Sequence, residues 1–118
     1  MHDVSYVINL LTNKRFPLDN EKVTQREIGI ILELGGIVAA AEFILSDSDR
    51  IDFYIPGMGV GIEVKIKGNP KSIYKQCERY CSHKSIVDFI LITSKFMGMP
   101  PDINSKKIHV INMSKAWL

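Results

Sequence analysis

Arg50-Ile51-Asp52-Phe53-Tyr54-Ile55-Pro56-Gly57-Met58-Gly59-Val60-Gly61-Ile62-Glu63-Val64-Lys65 is the stretch on which the fold turns. Two runs rich in β-branched and aromatic residues flank Pro56-Gly57-Met58-Gly59, a tight-turn sequence, which predicts a hairpin of strands Arg50 to Ile55 and Val60 to Lys67. Asp52 interrupts an otherwise apolar strand, where aspartate is disfavoured. A hairpin of this length places Asp52 beside Glu63, and alternation puts Glu63 and Lys65 on one face with Val64 on the other, so two carboxylates and an ammonium are expected to share one sheet face. Glu-x-Lys alone is common as solvated surface charge. Asp52 is what makes it informative, because two neighbouring carboxylates repel unless a cation lies between them. A hard divalent cation with oxygen ligands, such as Mg²⁺, meets that need.

Upstream, Val4 to Leu11 is an apolar run that fits a strand or a short helix equally well. Phe16 to Asn20 reads as a connector, with Asp19, Asn20 or Thr24 available as a helix cap. Glu21 to Leu34 reads as an amphipathic helix whose arc holds Val23, Ile30, Ile31 and Leu34, widened by Ile28 and Leu32, with Glu27 in its middle. Gly35-Gly36 ends it. Ile37 to Leu45 reads as a first strand and Ser46 to Asp49 as a polar turn.

Downstream, Gly68-Asn69-Pro70 breaks the chain, and Pro70 to about Lys84 forms a second amphipathic helix. Its apolar side is Ile73, Tyr74, Cys77, Tyr80 and Cys81, while Lys71, Lys75 and Arg79 stack on another face. Ile86 to Thr93 is an apolar run, interrupted by Asp88, with the pattern of a strand covered on both faces, and Lys107 to Asn112 is a last strand. The expected fold class is α/β, a mixed β-sheet flanked by helices in one domain spanning 1–118.

Composition agrees with an ordinary globular chain: of 118 residues, 46% are hydrophobic and 24% charged. That excludes intrinsic disorder and collagen-like repeats. Cys77 and Cys81 have no second pair, so neither a cystine framework nor a zinc knuckle can be built from them. A formal net charge of +2 permits nucleic-acid binding without requiring it. The first residues show no basic region followed by an apolar stretch, and no apolar run reaches membrane-spanning length. The expected location is the cytoplasm, of a bacterium or a phage-infected cell.

The combination of Asp52, Glu63 and Lys65 resembles the PD-(D/E)xK nuclease superfamily, with its restriction-endonuclease-like core of order α-β-β-β-α-β. There an acid on the second strand precedes (D/E)-x-K on the third. Gln76-Cys77-Glu78-Arg79-Tyr80 matches the Gln-x-x-x-Tyr element on the following helix. The proline that often precedes the first acid is Ile51 here. Holliday-junction resolvases and virus-type replication-repair nucleases carry a first-helix glutamate in the metal site, and Glu27 is the expected counterpart, with Glu21 as its rival. Thr24-Gln25-Arg26-Glu27 also fits a capping box.

The resemblance implies a Mg²⁺- or Mn²⁺-dependent deoxyribonuclease. Asp52, Glu63, the Val64 carbonyl and Glu27 would hold the metal. Lys65 and Gln76 would act at the reacting water, and Lys67, Lys71, Lys75, Arg79 and Tyr80 would meet the nucleic acid. DNA is the expected partner, cut by structure or at an end, by a homodimer and without a membrane. A non-catalytic nucleic-acid-binding module on the same fold is the alternative, and a small interaction protein with only surface charge is a second.

Overall fold

The computed structural model describes residues 2–118. Three asparagine or aspartate caps set the helices. Asp3 accepts from the Tyr6 N–H at 3.0 Å and opens α1, Val4–Leu11. Asn20 accepts from the Val23 N–H at 3.1 Å and opens α2, Glu21–Leu34. Asn69 accepts from the Ser72 N–H at 2.9 Å and opens α3, Pro70–Tyr80. Pro70 occupies the first turn, where its missing N–H has no helical partner to lose. A 3₁₀ segment, Met113–Trp117, closes the chain.

The strands are β1 (Ala40–Ile44), β2 (Arg50–Ile55), β3 (Val60–Lys65), β4 (Asp88–Thr93), β5 (Asp102–Ile103) and β6 (Lys106–Asn112). They form one mixed sheet in the order β1-β2-β3-β4-β6-β5. The first three are an antiparallel meander, β3–β4 and β4–β6 are parallel, and β5 runs antiparallel to β6. The return from β3 to the parallel β4 needs a crossover, and α3 supplies it. Val7, Leu11, Ile28 and Leu32 of α1 and α2 pack on one sheet face against Phe53, Ile62, Val64, Ile90 and Ile92. Ile73, Cys77 and Tyr80 of α3 pack on the other against Ile51, Tyr54, Phe89 and Leu91.

The α/β class and the hairpin agree with the sequence reading, and several details differ. Val4–Leu11 is a helix. The first strand begins at Ala40, α3 ends at Tyr80, and the two-residue β5 and the 3₁₀ segment are too short to carry a periodicity. The buried side of α2 is Thr24, Ile28 and Leu32, while Ile30 and Leu34 are exposed. Isoleucine and leucine occupy nearly every side of that helix's C-terminal half, so periodicity does not fix which side faces inward. Thr24 tolerates burial because its hydroxyl donates to the Pro17 carbonyl at 3.1 Å. Among the described residues no helix is long and apolar enough to cross a membrane.

Gly61 lies in mid-strand where only a glycine fits. A Cβ there would come within 2.6 Å of Ile51 Cδ1 and 2.8 Å of Ile86 Cδ1. Gly61→Ala is expected to destabilise the fold by about 1–3 kcal/mol through overpacking, measurable by urea denaturation.

Candidate active site

The backbone ladder of the β2–β3 hairpin runs from Ile55–Val60 to Phe53–Ile62 and then stops. Past that point the strands are joined by carboxylates. The Asp52 N–H donates to Glu63 Oε1 at 3.0 Å, and the Val64 N–H donates to Asp52 Oδ2 at 2.8 Å. A residue's N–H and C=O point the same way from a strand, so the Val64 carbonyl also faces this gap.

Asp52 owes its position to a break in alternation. Phe53 packs in the core beneath α2, yet Ile51 packs in the core beneath α3, where Tyr54 also lies. Strand β1 shows the same break: Ala41 pairs with Phe53 and Phe43 with Ile51, and between them Glu42 adopts a left-handed φ of 54°. Such a backbone is strained for a non-glycine residue. Asp52 is therefore turned out of both cores towards the α2 side of the hairpin. Lys22, Gln25 and Arg26 of α2 line a cleft there together with Glu42 and Asp52. These three α2 residues are a feature the sequence reading missed; their i, i+3, i+4 spacing on a polar face was the available signal.

Glu63 is buried on the α3 side, so Asp52 and Glu63 do not share one sheet face as expected: the break in alternation turns Asp52 the other way, and the two carboxylates meet in the gap between the strands. Lys65 Nζ lies 3.6 Å from Glu63 Oε2. Burial, and then the neighbouring Asp52 charge, push the Glu63 carboxyl up to about 8. Asp52 is also raised, first by burial and further by the charges of Glu21 and Glu42, against the Val64 N–H and Lys65, which lower it. The Tyr80 hydroxyl lies 2.9 Å from the Arg50 carbonyl and 3.2 Å from Glu63 Oε2, and it accepts from Gln76 Nε2 at 2.6 Å. A phenol has one hydrogen to give. With the shorter contact taking it, the longer one is satisfied when Glu63 carries a proton and donates back. Tyr80→Phe leaves the Arg50 carbonyl without that donor and is expected to cost about 1–3 kcal/mol, read by thermal denaturation.

Asp52, Glu63, Val64 and Lys65 thus come together, and other expected site residues do not. Glu27 lies beside Lys14, Arg15 and Phe16, away from the hairpin. It is Glu21, at the start of α2, that borders the gap: its Oε1 accepts from the Ile66 N–H at 2.9 Å, and its charge acts on Asp52. With Thr24, Ile28 and Leu32 as the buried side of α2, Glu27 turns away from the hairpin. Gln76 bonds Tyr80 rather than Lys65. Tyr80 is 2% exposed and supports Glu63, so it offers no surface to nucleic acid. Arg79 is held by Asp49, Nε to Oδ1 at 3.2 Å, and His83 Nε2 lies 3.0 Å from Asp49 Oδ2. Those two partners, His83 foremost, hold the Asp49 carboxyl below its ordinary value. Lys67, Lys71 and Lys75 are exposed and form no ion pair among the described residues. Cys77 and Cys81 are buried free thiols raised by burial to about 12 and about 11, which suits core packing and not nucleophilic chemistry.

The donor set is all oxygen, which fits a hard divalent cation. Among the described residues no three His, Cys, Asp or Glu side chains converge on one point. An ion here would take two carboxylates and the Val64 carbonyl and complete its shell with water, as Mg²⁺ commonly does. No family model matches this chain, and no curated protein or solved structure is significantly similar to it.

Proposed function

We propose that this chain is a Mg²⁺- or Mn²⁺-dependent deoxyribonuclease with a restriction-endonuclease-like core. The observation that carries the reading is the convergence of Asp52, Glu63 and Lys65 at the point where the β2–β3 ladder opens. Glu63, buried, and Asp52, part-buried, both have raised proton affinity, and Lys65 is the one cation among the described residues in ion-pair contact with either, so the ionised pair favours a further positive charge between them. A divalent cation bound there would supply that charge, polarise a phosphate oxygen and lower the pKa of a bound water.

Asp52 and Glu63, with the Val64 carbonyl, would hold the cation, and Glu21 would take the outer position expected of Glu27. Lys65 orients the attacking water or removes its proton, and stabilises charge on the pentacoordinate transition state. Tyr80, steadied by Gln76, keeps Glu63 in place. Lys67, Lys71 and Lys75 on and before α3 contact phosphates. Family resemblance implies 5′-phosphate and 3′-hydroxyl products. A domain of this size has little surface for reading base sequence, so it recognises an end, a flap or a junction. A homodimer presents two such centres to paired strands. The meander, the α3 crossover and the parallel β4 agree in order with the core of that superfamily.

The test is a panel of plasmid, linear, single-stranded, flap and four-way-junction DNA incubated with Mg²⁺ or Mn²⁺, beside Lys65→Ala. Cleavage of one or more substrates by the parent and not by the variant is the expected result. DNA binding in EDTA without cutting under either metal would replace the enzyme by a binding module.

A further inference from the structure

The outward face of α2 carries large apolar side chains that nothing among the described residues covers. Ile30 is 51% exposed and Leu34, one turn on, is 83% exposed; Val38, just past the helix, is 82% exposed. Beside this ridge runs a groove with small residues along it, Gly29, Ala39 and Ala41, above the Phe53 ring. A ridge next to a groove of matching size is a self-complementary shape. Contiguous apolar exposure of this kind marks an interaction surface.

The charges on the same face identify the occupant. Arg26 and Glu33 both line the groove, and neither forms an ion pair among the described residues. They lie seven residues apart, two helical turns, with Gly29 and Ile30 midway. A second α2 laid antiparallel across the first, about a twofold axis between Gly29 and Ile30, sets each Arg26 against the other chain's Glu33. The same placement lowers each Ile30 onto the other chain's Gly29, where no side chain blocks it. A twofold interface requires that the patch complement itself, and this one does so in both shape and charge.

We infer that a second copy of this chain docks on the α2 face, antiparallel helix against helix, through Ile30, Leu34 and paired Arg26–Glu33 contacts. The surface adjoins the cleft that holds Asp52, sharing Arg26, Gly29, Ala41 and Phe53 with it. The dimer needs no catalytic assignment, and its test is independent of cleavage.

Sedimentation velocity of the full chain across a concentration series reads the outcome. The parent is expected to dimerise. Arg26→Glu and Glu33→Arg alone each weaken self-association by at least about tenfold, since each sets like charges together twice. The double variant, and an equimolar mixture of the two singles, restore the parent's dimer. These positions lie on the solvent side of α2, so circular dichroism is expected to be unchanged. A parent that stays monomeric to its solubility limit overturns the inference, whatever other partner the face then serves. A dimer indifferent to both reversals overturns it as well.

Discussion

Asp52→Asn is expected to cut DNA at about one-hundredth to one-ten-thousandth of the parent's rate with Mg²⁺ present, the range lost when a positioned acid–base or electrostatic group is removed. The amide keeps the shape of the side chain, and its oxygen still accepts from the Val64 N–H, so the hairpin is held. What it removes is one of the two negative charges that make the gap attractive to a cation. Melting temperature is therefore expected to stay level or rise, because the raised proton affinity of Asp52 shows that its charge is not comfortably accommodated. Lys65→Ala is expected to lose activity to a similar degree while leaving both carboxylates in place. The two variants differ in metal dependence. Excess Mn²⁺ recovers part of the Asp52→Asn activity and none of the Lys65→Ala activity. Parent-level cleavage by either variant would remove that residue from the mechanism.

The second large effect is on stability against pH without a divalent cation. An unfolded Glu63 ionises near 4.5, whereas the folded chain holds its proton to about 8. Between those values the unfolded state binds fewer protons than the folded state, so raising the pH favours unfolding. Stability from this group is fully present below about 4.5 and lost by about 8. The loss is on the order of a few kcal/mol, or roughly 10–20 °C in melting temperature for a chain of this size. Glu63→Gln, which cannot ionise, is expected to flatten that slope and to exceed the parent's stability at high pH. Mn²⁺ is expected to stabilise the parent more at pH 8 than at pH 5.5, because protons compete for the carboxylates at the lower value. A parent curve as flat as the variant's would contradict a buried protonated Glu63.

The hairpin was legible because its signals are local: β-branched runs, a Pro-Gly turn and an aspartate where strands avoid one. The α2 orientation was not. Its apolar residues lie on several sides, and the choice among them depends on Thr24 finding the Pro17 carbonyl and on contacts with Phe53 that no periodicity encodes. That single ambiguity is why Glu27, and not Glu21, is the residue the periodicity sets towards Asp52. Tyr80 was readable as a motif residue, while its role was not, since its partners Arg50 and Glu63 come from two different strands. The kink at Glu42 and Asp52 leaves no trace in sequence because neither residue is a glycine. The tie of Arg79 to Asp49 likewise depends on how the loop before β2 folds back on α3.

Crystals soaked in Mn²⁺ and measured at the manganese absorption edge test the central claim most directly. An anomalous peak is expected in the gap between β2 and β3, within bonding distance of Asp52, Glu63 and the Val64 carbonyl, as is its disappearance in Asp52→Asn. No peak there at saturating Mn²⁺, or one that persists unchanged in the variant, would contradict that claim.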